Sequence, residues 1–119
     1  MNEQLLAEIK AAYKALHLRP VRGFFFIHRK RYDFACPLIA LALSRGIVSR
    51  AEPDRLEKGD FTPVLEKFAT EFSMPWVCGF SDGFDRQSQR SFDLDYLSGY
   101  EFGGRVALEI LPGESALGV

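Results

Sequence analysis

The segment WVCGFSDGFD (Trp76–Asp85) has the apolar spacing of a buried helix, yet it carries glycine at positions 79 and 83. Twenty residues on, YLSGYEFGGR (Tyr96–Arg105) repeats the arrangement. Tyr96 matches Trp76, Gly99 matches Gly79, Tyr100 matches Phe80 and Gly103 matches Gly83. The shared pattern is aromatic-x-x-Gly-aromatic-x-x-Gly. A glycine inside a helix costs about 1 kcal/mol relative to alanine. Four of them cost on the order of 4 kcal/mol, a large share of a typical domain's net stability.

Something must offset that cost. Residues four apart lie on one helix face, so Trp76, Phe80 and Phe84 form one ridge and Tyr96 and Tyr100 another, each beside a glycine groove. The favoured reading is two tightly crossed helices whose backbones approach at the glycines, as in small-xxx-small packing. Trp76, Gly79, Phe80, Gly83, Tyr96, Gly99, Tyr100 and Gly103 then form the helix contact. Two alternatives compete: a groove left open for a ligand, or a left-handed cap at Gly79 or Gly83 that ends the helix early.

The flanking sequence sets these helices in an α+β, mainly α fold around a Phe-rich core. Asn2 and Glu3 open an N-terminal helix with Leu5, Ile9, Ala12, Tyr13 and Leu16 on one face, ending near Leu18 because Pro20 follows. A two-stranded β-hairpin is expected next, with strands Val21–Ile27 and Arg31–Phe34 about a turn at Arg29–Lys30. Pro37 starts a helix, apolar on nearly every side, that Gly46 caps. Residues 47–60, interrupted by Pro53, read as a loop with one short helical turn. Thr62–Pro63 starts a helix with an inner stripe of Leu65, Phe68, Ala69 and Phe72. Ser73 and Pro75 stop it and start the first glycine-bearing helix. The second runs from about Asp93 to Leu111 and ends at Pro112–Gly113. That makes about four helices after the hairpin.

At 119 residues the chain reads as one globular domain, 1–119, with a loosely ordered tail from about 113. Two cysteines, Cys36 and Cys78, are too few for a secreted disulfide scaffold. The N-terminus lacks the character of a signal peptide, and no apolar run approaches a membrane span. These features point to a cytoplasmic protein without membrane association. Charge is divided: residues 1–60 hold 11 Lys and Arg against 7 Asp and Glu, net +4, and residues 61–119 hold 4 against 9, net −5. That division suits either a solvated surface or a basic face for an acidic partner.

Chemistry-bearing residues are sparse. HRKRY (His28–Tyr32) concentrates cations beside an aromatic. It reads first as a charged turn that discourages edge pairing, and alternatively as a nucleic-acid contact using Arg29, Lys30 and Arg31 with Arg19 and Arg22. Cys36 precedes a helix start, where a thiolate is favoured, and His28 could serve as its base. Asp82, Asp85, Asp93 and Asp95 could hold a divalent cation, although their spacing is not that of an EF-hand and a solvated, helix-capping edge is the simpler reading. Residues near Gly46 faintly suggest a helix-turn-helix, but Pro53 falls inside the would-be recognition helix. No Gly-rich phosphate loop, His-Glu-x-x-His or Cys-x-x-Cys is present, and no cofactor is expected. The sequence therefore favours a small non-enzymatic binding or accessory protein acting through a protein partner or as a homodimer. A nucleic-acid-binding module and a small enzyme using Cys36 or the Asp cluster are the alternatives.

Overall fold

A computed structural model describes residues 2–111. Six helices and three short strands occur among them, giving an α+β, mainly helical protein with Phe-rich buried clusters. The expectation of a loose tail from about 113 lies outside the described residues, as does the Pro112–Gly113 stop. The chain divides into two compact units, Met1–Val64 and Leu65–Val119. The charge division follows the same boundary, because residues 61–64 carry no charge.

In the first unit, α1 (Asn2–Leu16) buries Leu5, Leu6, Ile9, Ala12 and Tyr13, the face its spacing dictates. It ends two residues earlier than expected, because His17 turns into the left-handed region at φ 53°. The next three residues form a strand that the sequence reading did not anticipate. This β1 (Leu18–Pro20) pairs in parallel with β3 (Asp33–Ala35), and β3 pairs antiparallel with β2 (Phe26–His28). The sheet therefore has three strands in the order β1-β3-β2. The hairpin is real but shorter than expected. Residues 21–25 leave the sheet through a bend in which Gly23 sits at φ 78°, a conformation that favours glycine.

Helix α2 (Pro37–Ser44) starts at its proline and buries Pro37 through Ala42, as the all-round apolar pattern requires. It closes as a Schellman motif: Ile47 N–H donates to the Ala42 carbonyl at 2.8 Å and Gly46 N–H to that of Leu43 at 3.2 Å. Gly46 takes the left-handed φ of 73°. The expected short helical turn is α3 (Pro53–Glu57). The Phe61 ring is buried with its centroid 5.0 Å from that of Phe25.

Helix α4 (Thr62–Glu71) carries the chain from one unit into the next, its start held by Asp60 Oδ1, which accepts from Thr62 N–H at 3.0 Å. In the second unit, α5 (Met74–Phe84) follows at once. Ser73 makes the corner and its hydroxyl accepts from Trp76 N–H at 3.2 Å. α5 continues through both Gly79 and Gly83, so neither glycine ends it early. Helix α6 (Leu94–Ile110) is capped by Asp93, whose Oδ1 accepts from the N–H groups of Asp95 at 2.9 Å and Tyr96 at 3.2 Å.

Candidate functional site

The two glycine helices meet backbone to backbone. A Cβ added to Gly79 would overlap the Tyr96 carbonyl oxygen, and one on Gly83 would overlap that of Tyr100. The reverse contacts match: Gly99 lies against the Trp76 carbonyl and Gly103 against that of Phe80. Moving four residues along α5 moves the contact four residues along α6, so the helices run parallel. Each contact also maps onto its reciprocal when twenty is added to one residue number and subtracted from the other. This is the reciprocity of a two-fold, isologous interface, here within one chain. A glycine Cα–H facing a carbonyl at such close approach makes a weak hydrogen bond that helps offset the propensity cost. The groove is filled, and the open-groove alternative does not hold.

Rings close the edges of the crossing. Trp76 stacks on Phe80 at 5.3 Å and on Phe72 at 4.4 Å, and Phe102 lies 6.0 Å from Trp76 and 5.7 Å from Phe80. Tyr96 and Tyr100 stack at 5.9 Å.

Parallel helices need a return connection, and residues 85–93 supply it. It is anchored around Asp82, which the sequence suggests lies on a solvated edge. Asp82 is only 6% exposed. Its Oδ2 accepts from the Tyr96 hydroxyl at 2.7 Å, and Arg90 donates to both carboxylate oxygens at 2.9 and 3.0 Å. Arg90 N–H donates to the Tyr96 hydroxyl oxygen at 3.1 Å, and the Tyr100 hydroxyl donates to the Gln87 carbonyl at 2.6 Å. Burial, then the Asp82 hydrogen bond, raises the Tyr96 pKa. Asp82, Gln87, Ser88 and Arg90 line an open polar concavity of about 360 Å³.

The four aspartates considered for a metal do not converge. Asp82 is engaged by Arg90 and Tyr96, Asp93 caps α6, and Asp85 is the C-cap residue of α5. Asp95 is exposed in the first turn of α6. Among the described residues, no group of three or more His, Cys, Asp or Glu side chains could hold a metal ion.

At the start of α6 the surface turns apolar. Phe92 is 86% exposed and Leu94 83%, flanking the capping Asp93. Residues of this size rarely stand so far from cover, and two together on a rigid, capped helix start are a candidate contact surface. The sequence reading did not single them out. The alternation of apolar and acidic residues in SFDLD was the available signal.

In the first unit, the β2–β3 turn projects Arg29, Lys30, Arg31 and Tyr32, all exposed. The Arg19 guanidinium, on β1, lies 3.8 Å from the centroid of the Tyr32 ring, a cation–π contact. Arg29 donates to Glu57 Oε1 at 3.3 Å and to the His28 carbonyl at 2.8 Å. Arg22, half-buried, lies in the bend before β2. The structure thus brings Arg19 to Tyr32, next in the chain to the exposed Lys30 and Arg31, with Glu57 beside Arg29.

His28 and Cys36 are not brought together. His28 pairs with Asp33 across the ladder, whereas Cys36 N–H donates at 2.9 Å to the carbonyl of Phe25, which precedes β2 and lies three residues, or about 10 Å, from His28. The His28 Nδ1 lies 2.6 Å from Asp33 Oδ1. That hydrogen bond raises the imidazole pKa, with smaller contributions from the charges of Asp33, Asp54 and Glu57. His28 N–H donates to Glu57 Oε1 at 2.6 Å. Cys36 is the half-buried N-cap residue of α2, and its neighbour Tyr13 is buried with its hydroxyl donating to the Ala35 carbonyl at 2.6 Å. Burial pushes the Tyr13 phenol well above its ordinary pKa. Cys78 is exposed on α5.

No helix among the described residues is long and apolar enough to cross a membrane. Comparison of the chain with known protein families, with curated proteins and with solved structures finds no match.

Proposed function

We propose that this chain is a non-enzymatic binding protein that acts through protein–protein contacts, and that Phe92 and Leu94 form the centre of its contact surface. The exposure of this pair carries the reading. Large apolar side chains held on a pre-ordered backbone lose little entropy on binding and release water from a large area. The backbone here is pre-ordered from both sides. The Asp93 cap fixes the start of α6, and Asp82, Arg90 and Tyr96 anchor the connection leading into it. Leu108 and Met74 are also exposed in this unit, at 55% and 42%, but less so than Phe92 and Leu94.

The test is site-specific photocrosslinking in native lysate, with a benzophenone side chain at position 92 and, as a control, at the exposed position 88. A discrete protein adduct at 92 and none at 88 supports the proposal. Equal, diffuse labelling at both positions contradicts it.

A further inference from the structure

We propose that the partner of the Phe92–Leu94 surface is the basic hairpin tip of a second copy of this chain, in a head-to-tail contact. The inference rests on the protein-contact reading above and names its occupant.

Charge complementarity carries it. The surface at the start of α6 is apolar and acidic: Phe92 and Leu94 alternate with Asp93 and Asp95, on a unit of net charge −5. The positive end of the helix offsets only about half a charge of the two carboxylates. The hairpin tip is the converse, with Lys30 and Arg31 exposed beside Tyr32, itself 43% exposed, on a unit of net charge +4. Arg19 holds the Tyr32 ring in place from one face. Phe92 and Leu94 would pack on the free part of that ring and on the aliphatic stem of Arg31, while Lys30 and Arg31 meet Asp93 and Asp95.

A nucleic acid fits the tip less well. Arg19 covers one face of the Tyr32 ring, which leaves a single face for a base, and Arg29 pairs with Glu57. Asp33, Asp54 and Glu57 lie close enough to act on His28, so a continuous polyanion would meet carboxylates as well as cations. A partner with two discrete carboxylates between apolar side chains meets only the cations.

The contact is not self-complementary, so variants with opposite halves intact can test it. Lys30→Glu/Arg31→Glu removes the tip, and Phe92→Ser/Leu94→Ser removes the helix surface. All four positions are exposed, and circular dichroism checks that each variant folds. Wild type is expected to self-associate in sedimentation equilibrium at low salt and to weaken as salt rises. Each variant alone should lose association about 10-fold or more. An equimolar mixture should recover a one-to-one heterodimer that grows no further.

Variants that associate as wild type does, or a mixture that stays monomeric while wild type associates, overturn the inference. A monomeric wild type whose position 92 still crosslinks another protein overturns it and leaves the proposed function standing. A monomer with no crosslink overturns both. Binding of a short single-stranded oligonucleotide by monomeric wild type, lost in the tip variant, assigns the tip to nucleic acid instead.

Discussion

The Tyr96 hydroxyl donates to the buried carboxylate of Asp82 at 2.7 Å, tying the first turn of α6 to the last turn of α5. A buried carboxylate is tolerated only with its oxygens occupied, and Arg90 occupies both from the connection that joins the two helices. Arg90 is 70% exposed, so the ion pair alone is screened and contributes little. The Tyr96 bond lies on the protected side.

Tyr96→Phe is therefore expected to lower stability by about 1–2 kcal/mol, and Asp82→Asn by a similar amount. Combined, they should cost less than the sum, because Tyr96→Phe removes the hydrogen bond that Asp82→Asn weakens by removing its charge. A double-mutant cycle in urea checks this, and strict additivity would contradict it.

His28 makes stability pH-dependent. Its folded-state pKa is raised by the Asp33 hydrogen bond. Its contribution is therefore fully present below the ordinary histidine pKa of about 6.5 and is lost as pH rises through the higher folded value. Thermal melts of wild type and His28→Gln should differ most below about pH 6 and converge as pH rises through the raised folded-state pKa. A gap that is unchanged or wider at high pH would show that the His28–Asp33 pair does not set it.

The thiols should separate by position. Cys78 is exposed on α5, whereas Cys36 is half-buried at the start of α2. Native labelling with a maleimide, read by mass spectrometry on peptides, should modify Cys78 first and Cys36 more slowly. Faster reaction at Cys36 would revive the idea of an activated nucleophile there.

The helix starts were legible because proline and small polar residues mark them chemically: Pro37, Thr62–Pro63, Ser73 with Pro75, and Asp93. The glycine echo was legible because four costly residues at matched spacing demand a steric reason. The parallel direction of α5 and α6 was not, since the spacing fits either direction. Strand β1 was invisible for a different reason. Leu18–Pro20 is too short for a periodic signal, and its pairing with β3 is set by tertiary contact. Phe24 and Phe25 favour strands, yet the bend at Gly23 keeps them out of the sheet. Asp82 was misread because a polar residue in a charged-looking segment gives no sign that a residue eight positions later will cover it. Of the candidate surface, the hairpin cations were legible from composition, whereas Phe92 and Leu94 emerged only once burial was known.

The crossing of α5 and α6 holds the second unit together and sets the start of α6, where Phe92 and Leu94 are exposed. Gly99 and Gly104 lie five residues apart inside α6. A Cβ on Gly99 would strike the Trp76 carbonyl and come within 2.9 Å of Phe80 N, whereas one on Gly104 meets nothing closer than the Gly83 oxygen at 4.0 Å. Helix propensity favours alanine equally at both sites, by about 1 kcal/mol. The measurement is the urea unfolding free energy of Gly99→Ala beside that of Gly104→Ala. Gly99→Ala should lose about 3 kcal/mol, because backbone on both sides cannot yield cheaply. Gly104→Ala should gain up to about 1 kcal/mol. Equal stabilisation by both substitutions would contradict the close crossing.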